Sequence, residues 1–153
     1  MALAIGDKLP VGELILADGT PLSLQDRAGQ PLVVYFYPKA DTTGCTREAQ
    51  DFSALADDFA QAGATILAIS RDTPKKLTCF AEKHALTVSL ASDPDGSVCE
   101  AFGVWVEKQM YGRTYMGIER ATFLFGATGR LVREWRKVKV AGHAADVLAT
   151  VRS

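Results

Sequence analysis

Two predominantly apolar runs separated by a stretch of helical period constrain this 153-residue chain more than any other feature. Leu32-Val33-Val34-Tyr35-Phe36-Tyr37 is rich in β-formers and lacks polar alternation, the pattern of a strand covered on both faces. Ala64-Thr65-Ile66-Leu67-Ala68-Ile69-Ser70 repeats it. Between them Phe52, Leu55, Ala56 and Phe59 recur at i, i+3, i+4 and i+7, one face of a helix, with Gly63 as its stop. Parallel neighbours need such a crossover. The β-α-β order therefore predicts a parallel central pair with helices on both faces of the sheet.

The flanking segments extend this frame. Glu13–Leu16 and Pro21–Leu24 bracket Ala17-Asp18-Gly19-Thr20, and the Asp-Gly pair predicts an N-terminal β-hairpin. Asp72 or Thr73 can cap the next helix, with Pro74 in its first turn and Leu77, Phe80, Ala81 and His84 on its apolar side. A short strand follows near Val88–Leu90. After the Asp93-Pro94-Asp95-Gly96 turn, Val98, Ala101 and Phe102 suggest a short helix. Gly103–Gly117 reads as loop-rich. Ala121–Phe125 and Arg130–Arg136 form two strands joined by Ala127-Thr128-Gly129, and a last helix runs from about Gly142 to Val151. The expectation is a single α/β domain over residues 1–153. A mixed central sheet is flanked by helices and a reactive cysteine follows the first long strand, the thioredoxin-like layout.

Composition removes several function classes. The chain is 48% hydrophobic and 23% charged with a net charge of −1, so nothing points to nucleic acid or an anionic membrane surface. No apolar run approaches the roughly 20 residues of a membrane helix. The segment Met1–Asp7 lacks a basic start and a long apolar stretch, so it does not read as a signal peptide, and a cytoplasmic location is expected. The three cysteines, Cys45, Cys79 and Cys99, are an odd set that does not resemble a secreted disulfide framework. With only His84 and His143 and no CxxC pair, a structural zinc site is not expected.

Cys45 carries the chemistry. It follows the polar turn Asp41-Thr42-Thr43-Gly44 where a helix should begin, and there unpaired backbone N–H groups and the positive end of the helix dipole favour thiolate over thiol. Its polar and small neighbours argue against a buried structural cysteine. Thr42 stands where a dithiol exchanger would carry its other cysteine. One thiol cannot exchange disulfides alone, whereas a hydroxyl can hydrogen-bond both the thiolate and a substrate oxygen. That combination suits attack on an O–O bond.

The segment Pro38-x-x-x-Thr42-x-x-Cys45 resembles the PxxxTxxC signature of peroxiredoxins, and the chain is similar over nearly its whole length to the bacterioferritin comigratory protein, or peroxiredoxin Q, subfamily. The likeness extends through Tyr35-Phe36-Tyr37-Pro38-Lys39, Ile69-Ser70, Phe80-Ala81-Glu82-Lys83, Ser92-Asp93, Ala101-Phe102-Gly103-Val104-Trp105, Met110-Tyr111-Gly112 and Gly117-Ile118-Glu119-Arg120. It implies a thiol-dependent peroxidase that acts on hydrogen peroxide and alkyl hydroperoxides without metal or haem. Cys45 would be the peroxidatic nucleophile and pass through a sulfenic acid. By the same resemblance Thr42 holds peroxide and thiolate, Pro38 shields the site from water, and Arg120 supplies the stabilising cation. The resemblance also implies a monomer recycled by thioredoxin or another external thiol. Without it, Arg120 would read as a surface arginine opening a strand. Glu48, one turn beyond Cys45, reads as a first-turn carboxylate favouring the helix dipole and stands outside the core site.

Two positions depart from the family pattern. A resolving cysteine five residues after the peroxidatic one is replaced by Gln50, and the alternative position on the next helix is Ala81. Cys79 lies two residues earlier, about 200° around the helix, so it is not the matched residue. Roughly 150° from the centre of the apolar side, it should be exposed. It is either an incidental thiol or a shifted resolving cysteine that reaches Cys45 after local unfolding. One-Cys and two-Cys routes both stay open. Cys99, flanking an apolar face, reads as a buried structural thiol. His84 reads as a packing residue, and neither histidine can be tied to Cys45 as a base. The rival functions are a dithiol oxidoreductase, which the hydroxyl at Thr42 opposes, and a non-catalytic thioredoxin-like module with an unreactive Cys45.

Overall fold

The computed structural model describes residues 3–153; Met1 and Ala2, the start of the segment read as lacking a signal peptide, lie outside it. The two apolar runs form β3 (Leu32–Phe36) and β4 (Thr65–Ser70), which pair in parallel with Val34 opposite Leu67. The predicted hairpin forms β1 (Glu13–Leu16) and β2 (Pro21–Ser23) around the Asp18-Gly19 turn. With β5 (Ser89–Ser92), β8 (Ala121–Phe125) and β9 (Leu131–Trp135) these make a seven-stranded mixed sheet in the order β2-β1-β5-β4-β3-β8-β9. Strands β3, β4 and β5 run parallel, and the antiparallel β8-β9 and β1-β2 pairs extend the sheet on either side.

Alternation along β3 divides the core. Val34 and Phe36 enter one apolar cluster with Leu67, Ile69, Phe102 and Phe123. Val33 and Tyr35 enter the other, where α1 (Thr43–Ala54), α2 (Ala56–Gln61), α3 (Pro74–His84) and α5 (His143–Arg152) bring Phe52, Phe59, Phe80 and Val147. The short α4 (Ser97–Ala101) covers the first face with Val98 and Cys99. Helices thus lie on both faces, but both parallel crossovers, β3 to β4 and β4 to β5, place theirs on the second face, and only α4 covers the first. Among the described residues no helix is long and apolar enough to cross a membrane.

Helix α3 starts as its sequence predicts: Thr73 Oγ1 accepts from the Lys76 amide at 3.3 Å, and Pro74 follows in the first turn. Two segments differ from expectation. The single helix read through Phe52–Phe59 is broken at Leu55, which leaves α-helical geometry (φ −100°, ψ 5°) between α1 and α2. Gly103–Gly117, read as loop-rich, contains most of an antiparallel hairpin, β6 (Trp105–Met110) and β7 (Arg113–Ile118), which forms its own two-stranded sheet. Both residues of its Tyr111-Gly112 turn have positive φ (52° and 75°), the hairpin geometry that glycine favours. Its strands are largely exposed, so no buried face imposes the two-residue alternation by which a strand is recognised.

Candidate active site

β3 ends beneath the loop that starts at Pro38, and Asp72 anchors this loop by accepting from the Ala40 amide at 2.8 Å and from Ser70 Oγ at 2.8 Å. Asp41 takes a left-handed conformation (φ 63°), which Asp tolerates better than most residues. Its carboxylate accepts from Lys83 Nζ at 2.9 Å and meets His84 Nε2 at 2.8 Å, and these bonds lower its pKa. The turn that precedes α1 is therefore clasped to the end of α3. Thr42 is the N-cap of α1, and Cys45 lies in the first turn, where amide N–H groups have no intrahelical partner.

Cys45 is buried, packed in the same cluster as Tyr35, Tyr37 and Phe52. This corrects the expectation drawn from its polar neighbours. The apolar surroundings come from Phe52 two turns along α1 and, decisively, from Tyr35 and Tyr37 at the end of the β3 run, which only the fold brings against the helix. Burial coexists with an ionic partner, because Arg120, placed between β7 and β8, donates from Nη2 to Cys45 Sγ at 3.3 Å. Its Nη1 donates to Glu48 Oε1 at 2.7 Å. Burial acts to lower the pKa of Arg120, but the charges of Glu48 and Cys45 outweigh it and hold the guanidinium firmly protonated. Burial pushes Glu48 up to about 7 against the pull of Arg120.

Glu48 is the residue the sequence reading left outside the site. Its one signal was spacing: at i+3 from Cys45 it shares that helix face. Only the sheet decides that this face turns inward, burying Glu48 to 1% exposure. Thr42 Oγ1 donates to the Lys39 carbonyl at 2.8 Å rather than to the Cys45 sulfur. Pro38 and Thr42 line a cleft of about 560 Å³, which is bounded across from them by Trp105, Lys108 and Tyr115 of the β6-β7 hairpin.

The other singled-out residues separate from this centre. Cys79 is exposed on α3 and lines a different groove with Lys76, Phe80 and Lys83. Cys99 is buried in the opposite apolar cluster, and burial pushes its thiol pKa up. His84 packs edge-on against Phe80, as a packing residue would. His143 opens α5, buried between Phe52 and Trp135, with Nε2 2.7 Å from Thr122 Oγ1; burial lowers its pKa to about 4.

Residues 5–134 match the AhpC/TSA family. The chain is 50% identical over 140 residues to peroxiredoxin Bcp of Xanthomonas campestris, covering 92% of this chain and 88% of that one. It is 45% identical over 152 residues to peroxiredoxin Bcp of Bacillus subtilis, covering 99% and 97%. Among solved structures it is similar to peroxiredoxin Q of Xylella fastidiosa, with a TM-score of 0.94, 43% identity and coverage of 99% and 97%. It is also similar to the bacterioferritin comigratory protein of X. campestris, described for its alkyl peroxide reduction activity, with a TM-score of 0.88, 46% identity and coverage of 95% and 98%. A thioredoxin-like sheet, a cysteine in the first turn of α1 and relatives of this kind over nearly the full length lead to one assignment: the chain belongs to the AhpC/TSA family, as a peroxiredoxin of the Bcp or Q type, a thiol-dependent peroxidase.

Proposed function

We propose that Cys45 is the peroxidatic nucleophile of a single peroxidase domain spanning residues 1–153, with Thr42, Arg120 and Pro38 completing the site, acting on hydrogen peroxide and alkyl hydroperoxides. The observation that carries this reading is the position of Arg120, whose guanidinium donates to Cys45 Sγ at 3.3 Å while Glu48 fixes its other arm at 2.7 Å. A permanent cation there favours a charged sulfur and remains in place as negative charge moves onto the substrate. Thr42 commits its proton to Lys39, so its oxygen is free to accept from the hydroperoxide O–H. Pro38 offers no N–H to water and presents an apolar ring beside the cleft.

In the reaction the Cys45 thiolate attacks the terminal peroxide oxygen. The S–O bond forms as the O–O bond breaks, leaving Cys45 sulfenic acid and an alkoxide or hydroxide that takes a proton to become alcohol or water. Thioredoxin or another external thiol then reduces the sulfenate, with release of water and formation of a disulfide that a second thiol resolves. Because Cys45 is buried, the first turn of α1 must loosen before any thiol reaches its sulfur. The same opening would be needed for Cys79 to act as a resolving cysteine. In this reading the protein works as a monomer in the cytoplasm, with no nucleic-acid or membrane partner.

Cys45→Ser tests the assignment. Consumption of hydrogen peroxide with thioredoxin or dithiothreitol as reductant should fall to background, whereas Cys79→Ser should keep peroxide-dependent oxidation of Cys45. Turnover retained by Cys45→Ser would overturn the proposal.

A further inference from the structure

The chain has three methionines, and the two within the described residues stand together at the site. Met110 closes β6 and Met116 lies in β7, and both line the cleft that Pro38 and Thr42 share. Neither is packed away: Met110 is 55% exposed and Met116 50%. Methionine ordinarily fills gaps in a core with its soft, polarizable thioether. Here no described methionine enters either apolar cluster. Both thioethers instead border the space beside the peroxidatic turn.

Hydroperoxides oxidise thioethers as well as thiolates. A sulfur lone pair attacks the terminal peroxide oxygen. The S–O bond forms as the O–O bond breaks, and the departing alkoxide or hydroxide takes a proton from solvent. The sulfur loses two electrons and the peroxide gains them, so the products are a sulfoxide and an alcohol or water. A neutral thioether is a weaker nucleophile than a thiolate, so Cys45 consumes the oxidant first while its sulfenate is being reduced. When the external thiol runs short, Cys45 stays oxidised and the peroxide persists beside Met110 and Met116. Lys39, Arg71 and Lys108, the charged residues of the lining, favour the negative charge that develops on the leaving oxygen. A sulfoxide is polar, whereas the wall it would join is otherwise built by Trp105, Tyr115 and Ile118.

We infer that Met110 and Met116 are oxidation sites whose conversion to sulfoxide makes the hairpin wall polar and slows the reaction with apolar hydroperoxides when reductant is scarce. Methionine sulfoxide reductases restore the thioethers, so the change is reversible. This rests on Cys45 as the peroxidatic residue. Hydrogen peroxide, which has no apolar body to lay against the wall, keeps its rate.

The test oxidises the thioethers while the thiols are protected. Wild-type protein is capped with methyl methanethiosulfonate, treated with excess hydrogen peroxide, and uncapped with dithiothreitol. The quantity read is the ratio of kcat/KM for cumene hydroperoxide to that for hydrogen peroxide, in which any loss of active Cys45 cancels. Peptide mass spectrometry should show one added oxygen on Met110 and one on Met116. The ratio should fall by about tenfold, the scale of losing part of an apolar contact, and should return after treatment with both methionine sulfoxide reductases. The Met110→Leu/Met116→Leu double variant should hold its own ratio through the same treatment. A ratio that does not move in the oxidised wild-type protein, or one that falls equally in the double variant, would overturn the inference. So would methionines that stay unoxidised while free methionine in the same solution is converted. If untreated protein turns over hydrogen peroxide but not cumene hydroperoxide, the wall takes no part in substrate contact and the inference falls. If untreated protein turns over neither, the failure lies with Cys45 as the peroxidatic residue.

Discussion

Arg120 reaches the Cys45 sulfur past a residue that has no side chain. A Cβ on Gly44 would sit 3.2 Å from Arg120 Nη2, tighter than ordinary contact, so alanine there must displace the guanidinium. The backbone of Gly44 lies within α1 and is not in the left-handed region, so what matters at this position is space. Alanine is favoured over glycine in a helix by up to about 1 kcal/mol. Gly44→Ala should therefore keep or raise the melting temperature while lowering kcat/KM for hydrogen peroxide on the order of tenfold, the scale expected when a charge-stabilising group is misplaced. Unchanged kcat/KM would show that Arg120 does not need this gap. The residues of the proposed site differ in how legible they are. Cys45 and Thr42 lie three positions apart in one local turn, and local chemistry announces them. Arg120 is 75 positions away from Cys45 and enters the sequence reading only through resemblance. Glu48 has the right spacing, but its inward orientation depends on the sheet.

At the scale of elements, the Asp41 clasp links the loop before α1 to the end of α3. Its two bonds, to Lys83 and His84, join the segment that carries the site to the helix that carries Cys79. Any route that exposes Cys45 must open the first turn of α1, and the clasp opposes this. Asp41→Ala removes both bonds and puts a residue less tolerant of positive φ at a position with φ 63°. Amides of Thr43 to Thr46 should exchange faster with deuterium, by about tenfold, with little change in those of β3 and β4. Peroxide-treated Asp41→Ala protein, mapped by non-reducing mass spectrometry, should also show more Cys45–Cys79 disulfide than wild type if Cys79 resolves the sulfenate. Unaltered exchange at the start of α1 would remove the clasp as a restraint. Elements also show where patterns mislead. The buried strands β3 and β4 and the capped helix α3 were legible because burial and capping leave strong local signatures. The β6-β7 hairpin was not, because its side chains mostly face solvent.

For the whole molecule, two buried titratable groups oppose each other in pH. His143 is lowered to about 4 by burial, so the unfolded chain binds a proton between about pH 4 and 6.5 that the native protein does not. Its contribution to stability is complete above about 6.5 and is lost as pH falls towards 4. Glu48 is raised to about 7, so the native protein holds a proton that the unfolded chain releases from about 4.5 upward. Its contribution is complete below 4.5 and is lost as pH rises through 7. The slopes largely offset one another between pH 4.5 and 6.5. His143→Gln should expose the Glu48 slope: denaturant unfolding should show the wild-type advantage growing with pH between 4 and 6.5, by on the order of 3 kcal/mol. A difference that is flat with pH would mean that His143 titrates normally in the native state.

The chain by itself determined the parallel strand pair, its crossover helix and the cysteine turn at the helix start, because hydrophobic period, turn chemistry and capping act over a few residues. It could not determine which polar side chains meet. Tertiary packing decided that Cys45 is buried among aromatic rings, that Glu48 holds Arg120 against it, and that an exposed hairpin walls the cleft. The reason is one of range: burial makes an unpaired charge costly, so Glu48 and Arg120 are tolerated there only together, and these partners come from positions that nothing in the local sequence connects. The thiol that opens the site was legible from its neighbours; the cation beside it required the fold.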